Sequence, residues 1–205
     1  MNQKLSETQH SMISQTTLAP DALMDRTAPI TTAPATGAAT GSLTRETVVR
    51  YLWALTRLCM GWIFLWPFLD KMFGLGHQTP SANAWINGGN PTKGFLSGSV
   101  GPFAGIYHNI AGAGWVNWLF MVGLIAIGAA LLLGIFMRLA CAAGALLVLL
   151  MWSASLPPQE DVFMDNHIIY ALLLIGLALV GAGNTLGIGR WWAQTNLVRR
   201  FAWLA

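Results

Sequence analysis

The chain has 205 residues, of which 55% are hydrophobic and 9% charged, and a formal net charge of +3. Soluble domains carry about one quarter charged residues, so this composition excludes an ordinary soluble protein and indicates an integral membrane protein. The arginines are scattered along the chain, which argues against a nucleic-acid-binding surface.

Residues 1–44 are rich in Thr, Ala, Ser, Pro and Gly and contain no apolar run able to build a core. Lys4 is followed by polar residues, whereas a secretory signal would continue with an apolar stretch. We therefore predict a disordered cytoplasmic tail over 1–44.

The first apolar run predicts a membrane-spanning helix over 48–69, with an arginine in its interior. Positions three and four residues apart share one face, which should point into the protein: Trp53, Arg57, Gly61, Phe64, Phe68 and Lys71. An ionisable residue inside a span is a functional candidate, although Arg57 would also suit pairing with a backbone carbonyl or a packing role. Pro67 predicts a kink before Asp70 and Lys71, which form either part of a site or an ordinary interfacial stop.

Residues 74–113 cannot form one helix, because glycine, asparagine and proline recur throughout. Trp85, Phe95 and Phe103 are nevertheless too apolar for a free loop. We predict a long structured outer loop that folds back on the helices, with a short helix near 101–110.

Three more apolar runs predict spans over 115–137, 139–156 and 167–183, with a tight turn near Arg138 between the first two. Small residues at four-residue spacing favour close helix packing in lipid: Ala126, Ala130 and Gly134, and separately Ala140 and Gly144. The fold class predicted for 45–189 is therefore all-α, an integral membrane four-helix bundle. Residues 190–205 predict a C-terminal amphipathic helix lying in the membrane interface.

Cys59 and Cys141 lie inside apolar runs and lack the spacing of a metal or haem motif, so we expect two buried small hydrophobes, no metal and no covalently bound cofactor. Lysine and arginine near the spans predict the orientation. Four spans place six arginines on one side, which should be cytoplasmic together with both termini: Arg45, Arg50, Arg138, Arg190, Arg199 and Arg200.

The opposite side then receives Asp70, Lys71 and the start of the fourth span. His167 and Tyr170 are three residues apart and share a helix face there. Histidine exchanges protons near neutral pH, so this cluster could move protons in a redox reaction. The alternative is that Asp165 and Asn166 cap the helix and His167 forms an interfacial hydrogen bond.

Four stretches carry a family resemblance: TRLCMGWIFLWPFLDKMFG, AWINGGNPTKGFL, LLLGIFMRLACAAGALLVLLMW and DNHIIYALLLIGLALVGAG. Residues 48–204 resemble the DoxX family, and within it the DoxD-like large subunit of thiosulfate:quinone oxidoreductase. The resemblance implies a four-helix protein of a prokaryotic plasma membrane, oxidation of thiosulfate to tetrathionate, a membrane quinone as electron acceptor, and a small DoxA-like partner subunit. The matching polar positions are Arg57, Asp70, Lys71, Asn87, Lys93, Arg138 and His167.

Taken together, the catalytic candidates are Arg57, Asp70, Lys71 and His167, and the substrate-binding candidates are Asn87, Lys93 and Tyr170. Lys71, Lys93 and His167 would attract sulfur anions. Arg57 and the aromatic stripe of the first helix would suit a quinone. The leading expectation is a subunit of a quinone-linked oxidoreductase; the alternatives are a non-catalytic subunit that docks or stabilises redox enzymes, and a small anion or proton transporter.

Overall fold

A computed structural model describes residues 44–158 and 164–201. The predicted tail lies outside the described residues except for Thr44, as do 159–163 and 202–205. Within these ranges the secondary structure consists of α-helices and 3-10 helices, without a strand, in agreement with the predicted all-α class. The α-helices are α1 (Arg45–Phe73), α2 (Lys93–Ser97), α3 (Ala104–Ile110), α4 (Gly114–Leu133), α5 (Met137–Ala154), α6 (Asn166–Val180), α7 (Gly189–Ala193) and α8 (Asn196–Arg200).

Three of the described helices, α1, α4 and α5, are long and apolar enough to cross a membrane. Helix α6 is apolar but has only 15 residues. It ends earlier than the predicted 167–183 because Gly181 adopts a left-handed conformation with φ 62°. These apolar helices indicate a membrane protein.

Helix α1 is longer than predicted and continues through Pro67 to Phe73. The Thr44 side chain accepts a hydrogen bond from the Thr47 amide at its start. Gly74, with φ 65°, ends it by donating to the Asp70 carbonyl at 2.8 Å. The structure therefore places Asp70 and Lys71 in the last turn of the helix.

The four longest helices pack in a ring, α1 against α4, α4 against α5, α5 against α6 and α6 against α1. The α1 and α4 backbones touch, since a Cβ atom on Gly128 would lie 3.1 Å from the Gly61 carbonyl oxygen. Gly144 lies similarly close to Leu174 of α6, as the small-residue pattern predicted, whereas Ala126 is exposed. The core between the helices includes Phe64, Met121, Leu131, Val148 and Leu174.

Residues 74–113 form two 3-10 turns, Ser81–Asn83 and Trp85–Asn87, followed by α2 and α3. Helix α3 lies where the sequence predicts a short helix. The segment is fastened to the ring at separate points: the Trp85 and Trp118 rings lie 4.7 Å apart, and the Thr92 hydroxyl donates to Asn117 Oδ1 at 2.6 Å. It is thus a folded layer on the ring.

Two local predictions are wrong, those for the C-terminal helix and for Cys59. The predicted interfacial helix 190–205 is instead α7 and α8, because Thr195 is extended and its hydroxyl caps α8 at Val198. The predicted tight turn near Arg138 is present at residues 134–136, two residues before it, and Arg138 is the second residue of α5. Cys141 is buried as predicted, but Cys59 is exposed. Cys59 follows buried Arg57 by two residues, and two residues along a helix point to nearly opposite faces.

Candidate functional site

A cavity of about 730 Å³, here called the main cavity, lies between the ring and the folded layer. Its walls come from α1, α3, α4, α5 and α6 and from residues of the layer. Most lining side chains are apolar, among them Phe64, Phe120, Leu124 and Met151. Its size is within the range of about 300–1,000 Å³ typical of small-molecule sites.

Some polar groups in the wall of the main cavity are already used to hold the fold. The Tyr107 hydroxyl bonds to Ser153 Oγ and donates to the Leu150 carbonyl at 3.1 Å, which ties α3 to the end of α5. Thr92 donates to Asn117, whose side chain is buried. These residues shape the cavity.

Two other lining groups retain their hydrogen-bonding capacity. Within the described part of the chain, neither the Lys71 ammonium nor the Tyr170 hydroxyl has a side-chain hydrogen-bond partner. Both side chains are only partly exposed. Polar groups left unpaired in an apolar wall favour a ligand that supplies their partners.

His167 is the third polar group at this wall, and Asp165 holds its position. The Asp165 Oδ1 atom caps α6 by accepting from the His167 amide at 3.0 Å, while His167 Nδ1 lies 2.6 Å from Oδ2. A carboxylate in its ionised form only accepts hydrogen bonds, so beside it Nδ1 is the donor, and Nε2 is the ring atom left to meet a ligand. The predicted cap and the predicted proton-exchanging histidine are therefore compatible.

A second, more polar pocket of about 550 Å³ adjoins the main cavity. Its lining includes Ser99, Ser155 and Asp165. Phe95, Ala154 and His167 line both spaces. The histidine therefore belongs to the wall that separates a polar pocket from an apolar cavity.

Asp70 has a different environment from its neighbour Lys71. Its carboxylate is 2% exposed and accepts the backbone amides of His77 at 3.2 Å and Gln78 at 3.1 Å. It does not line the main cavity. This geometry makes Asp70 the anchor of the loop that follows α1.

Arg57 lies about 20 Å along α1 from Lys71, so the structure does not bring these two predicted residues together. The guanidinium is fully buried and donates to the carbonyls of Leu131 and Leu132 at the end of α4. It also donates to Thr185 and Leu186 after α6, at 3.2 and 2.7 Å. We call Arg57 with these carbonyls the arginine clamp.

Glycine residues leave room for the arginine clamp. A Cβ atom on Gly134 would lie 2.8 Å from Arg57 Nη1, and one on Gly187 would lie 3.1 Å from Nη2. The last carbonyls of a helix lack partners within the helix and carry partial negative charge. Arg57 supplies donors and positive charge to them, as the carbonyl-pairing interpretation predicted.

The remaining predicted site residues lie outside both pockets. Lys93 is exposed at the start of α2, and the Asn87 side chain donates to the Ser81 carbonyl at 2.8 Å. The structure thus unites Lys71, His167 and Tyr170 and separates them from the others. Sequence reasoning missed the contribution of Tyr107 and Trp115 to the cavity; the unusual apolarity of 74–113 was the available signal.

The fold and the cavity define a helical membrane protein with an internal site of mainly apolar character. Comparison with known proteins found no matching family model, no matching curated protein and no matching solved structure.

Proposed function

We propose that the main cavity binds a membrane quinone and that the protein is a subunit of a quinone-linked oxidoreductase. The observation that carries this proposal is an apolar cavity of about 730 Å³. Its wall holds Lys71 and Tyr170, which have no side-chain hydrogen bond within the described ranges, beside His167, whose ring is held by Asp165. A quinone has a flat apolar ring with two carbonyl acceptors, and therefore matches apolar walls with a few donors.

The topology proposed with this function has four spans and both termini in the cytoplasm of a prokaryotic cell. Arg45, Arg138 and Arg190 occur at the start of α1, α5 and α7, which lie at the same end of the ring as the arginine clamp. The positive-inside rule supports a cytoplasmic position for that end. The main cavity would then lie toward the outer face.

In this proposal each polar residue has a defined task. Lys71 and Tyr170 donate hydrogen bonds to quinone carbonyl oxygens, and His167 exchanges a proton through Nε2 while Asp165 holds its ring. A quinone accepts two electrons and two protons on full reduction. The resemblance to DoxD-like proteins supports thiosulfate as the electron donor and a small DoxA-like partner.

Quinone binding can be tested with the purified protein in lipid nanodiscs, titrated with a decyl benzoquinone and corrected for empty nanodiscs. Lys71→Met should weaken binding about tenfold through loss of a charged donor. Lys93→Met is the matched control, because Lys93 is exposed outside the cavity, and should bind like wild type. Absence of wild-type binding would contradict the proposal.

The redox role needs a separate measurement, thiosulfate-dependent reduction of the bound quinone with and without candidate partner subunits. Turnover that His167→Gln lowers about a hundredfold, with binding retained, would support catalysis in this cavity. Quinone binding without turnover in any combination would instead indicate a non-catalytic subunit, and anion or proton flux into liposomes without quinone reduction would indicate a transporter.

A further inference from the structure

The main cavity has an opening whose position can be read from the exposure of its own lining. Ile106 of α3 is 62% exposed, and Trp115 and Leu119 of α4 are 63% and 67% exposed, yet all three line the cavity. A side chain that belongs to both an internal wall and the outer surface marks the edge of an opening. Phe95, Phe103 and Leu150 also line the cavity and are less exposed, at 43%, 45% and 49%. The widest opening therefore lies between α3 and the first turns of α4.

The surroundings of this opening are apolar and aromatic. Helix α4 is one of the three candidate spans, and next to the opening it also exposes Trp118 and Val122. Tryptophan is enriched at the level of the lipid headgroups. The opening thus faces the bilayer near its interface, where an apolar chain would pass from cavity to lipid without contact with water.

Two of the three polar groups assigned to the ligand, His167 and Tyr170, are on the far side of the cavity from this opening, while Lys71 of α1 lies between the two sides. Helix α4 packs on α1 and α5, and α6 packs on the same two helices, so α4 and α6 stand across the ring from each other. His167 and Tyr170 belong to α6. A ligand with a polar head and a long apolar tail would match this arrangement if its head lay near α6 and its tail lay near α4.

We propose that the opening between α3 and α4 is a lateral portal through which an isoprenoid quinone enters from the bilayer and in which its tail remains. The proposal rests on quinone binding by the main cavity, and it adds the route and the residues that select for a tail. Leu119 and Ile106 form the two sides of the portal. Substitution of either should change the affinity for quinones with a tail more than the affinity for quinones without one.

The test compares two probes in nanodiscs by calorimetric titration: a dimethoxy-methyl benzoquinone with a decyl chain and the same ring without the chain. Leu119→Trp should narrow the portal, weakening the decyl probe about tenfold while leaving the tail-free probe unchanged. Val122→Trp is the matched control, since Val122 is exposed on the same helix but does not line the cavity. It should bind both probes like wild type.

The outcomes separate the portal from the binding site itself. Failure of wild type to bind either probe would overturn quinone binding. Two outcomes would overturn the portal alone, provided that wild type binds the probes. Leu119→Trp and Val122→Trp could have equal effects, or Leu119→Trp could weaken the binding of both probes equally. Ile106→Trp tests the same portal from α3, and decides the outcome if Leu119→Trp does not fold.

Discussion

At one end of the helical ring, Arg57 is enclosed by carbonyls and glycines; at the other, Lys71 and Tyr170 line a cavity without side-chain hydrogen bonds to the described residues. Both ends place polar groups among apolar helices, where an unpaired donor is costly. The first end pairs Arg57 with four carbonyls of its own chain, whereas the second leaves space and donors. The difference teaches that a buried charge holds helices together when most of its donors meet the protein's own carbonyls, even though Arg57 Nε has no partner among the described residues, whereas donors beside a cavity suit a ligand.

The largest expected effect is at the arginine clamp. Arg57→Leu should lower the free energy of unfolding by about 3 kcal/mol or more, because two buried and two partly buried carbonyls lose a charged donor. Arg57→Lys should restore only part of this stability, since one ammonium cannot reproduce a guanidinium that reaches both the end of α4 and the segment after α6. The measurement is thermal unfolding in detergent, with exposed Arg50→Leu as the control. Equal, wild-type unfolding of both Arg57 variants would break the comparison.

A smaller decrease in the free energy of unfolding is expected when a side chain fills the space around the arginine clamp. Gly134→Ala should cost about 2 kcal/mol, because residue 134 has φ 77° and a Cβ atom there would lie 2.7 Å from the Gly183 carbonyl oxygen. Gly123→Ala, inside α4, places a Cβ atom with no neighbour within 4 Å and should be neutral or slightly stabilising. Denaturation curves of the pair would separate steric crowding from a general effect of glycine replacement; identical curves would refute the crowding argument.

Asp70 extends the comparison to the cavity end, because its carboxylate accepts two backbone amides whereas neighbouring Lys71 has no side-chain hydrogen bond to the described residues. Asp70→Asn should lower the free energy of unfolding by about 1–2 kcal/mol. The asparagine NH2 group would replace one of the two carboxylate oxygens that accept from the backbone N–H groups of His77 and Gln78. Faster hydrogen exchange at residues 77–78 should accompany the loss. Glu46→Gln, at an exposed position in the first turn of α1, is the control and should leave that exchange unchanged. Protected amides at residues 77–78 in Asp70→Asn would argue against the anchoring role.

The smallest stability effect is expected at the cavity wall. Tyr170→Phe should change the free energy of unfolding by less than about 0.5 kcal/mol, because its hydroxyl has no partner within the described residues to lose. Its affinity for the decyl benzoquinone should fall about fivefold, the value of one hydrogen bond. Tyr107→Phe provides the contrast, since it should lower stability by breaking the bond to Leu150. A destabilised Tyr170→Phe would show that the hydroxyl serves the fold.

The sequence by itself determined the helical class, the approximate positions of the apolar helices, the inward face of α1 and the cap at Asp165. These follow from local rules: the length of apolar runs, the helical period, and side chains that accept from amides two or three residues away. The same rules gave a wrong orientation for Cys59 and one continuous helix at the C-terminus, where Thr195 starts a new helix.

Only the tertiary structure decided the division of the predicted site residues. The Arg57 guanidinium reaches carbonyls 74 and 128 residues away in the chain, and the main cavity joins Lys71 to His167 and Tyr170 across two helices. Whether a charged side chain meets a carbonyl or an open space depends on how helices pack in three dimensions. Periodicity places a residue on a face of its own helix, but carries no information on what the neighbouring helix presents to it.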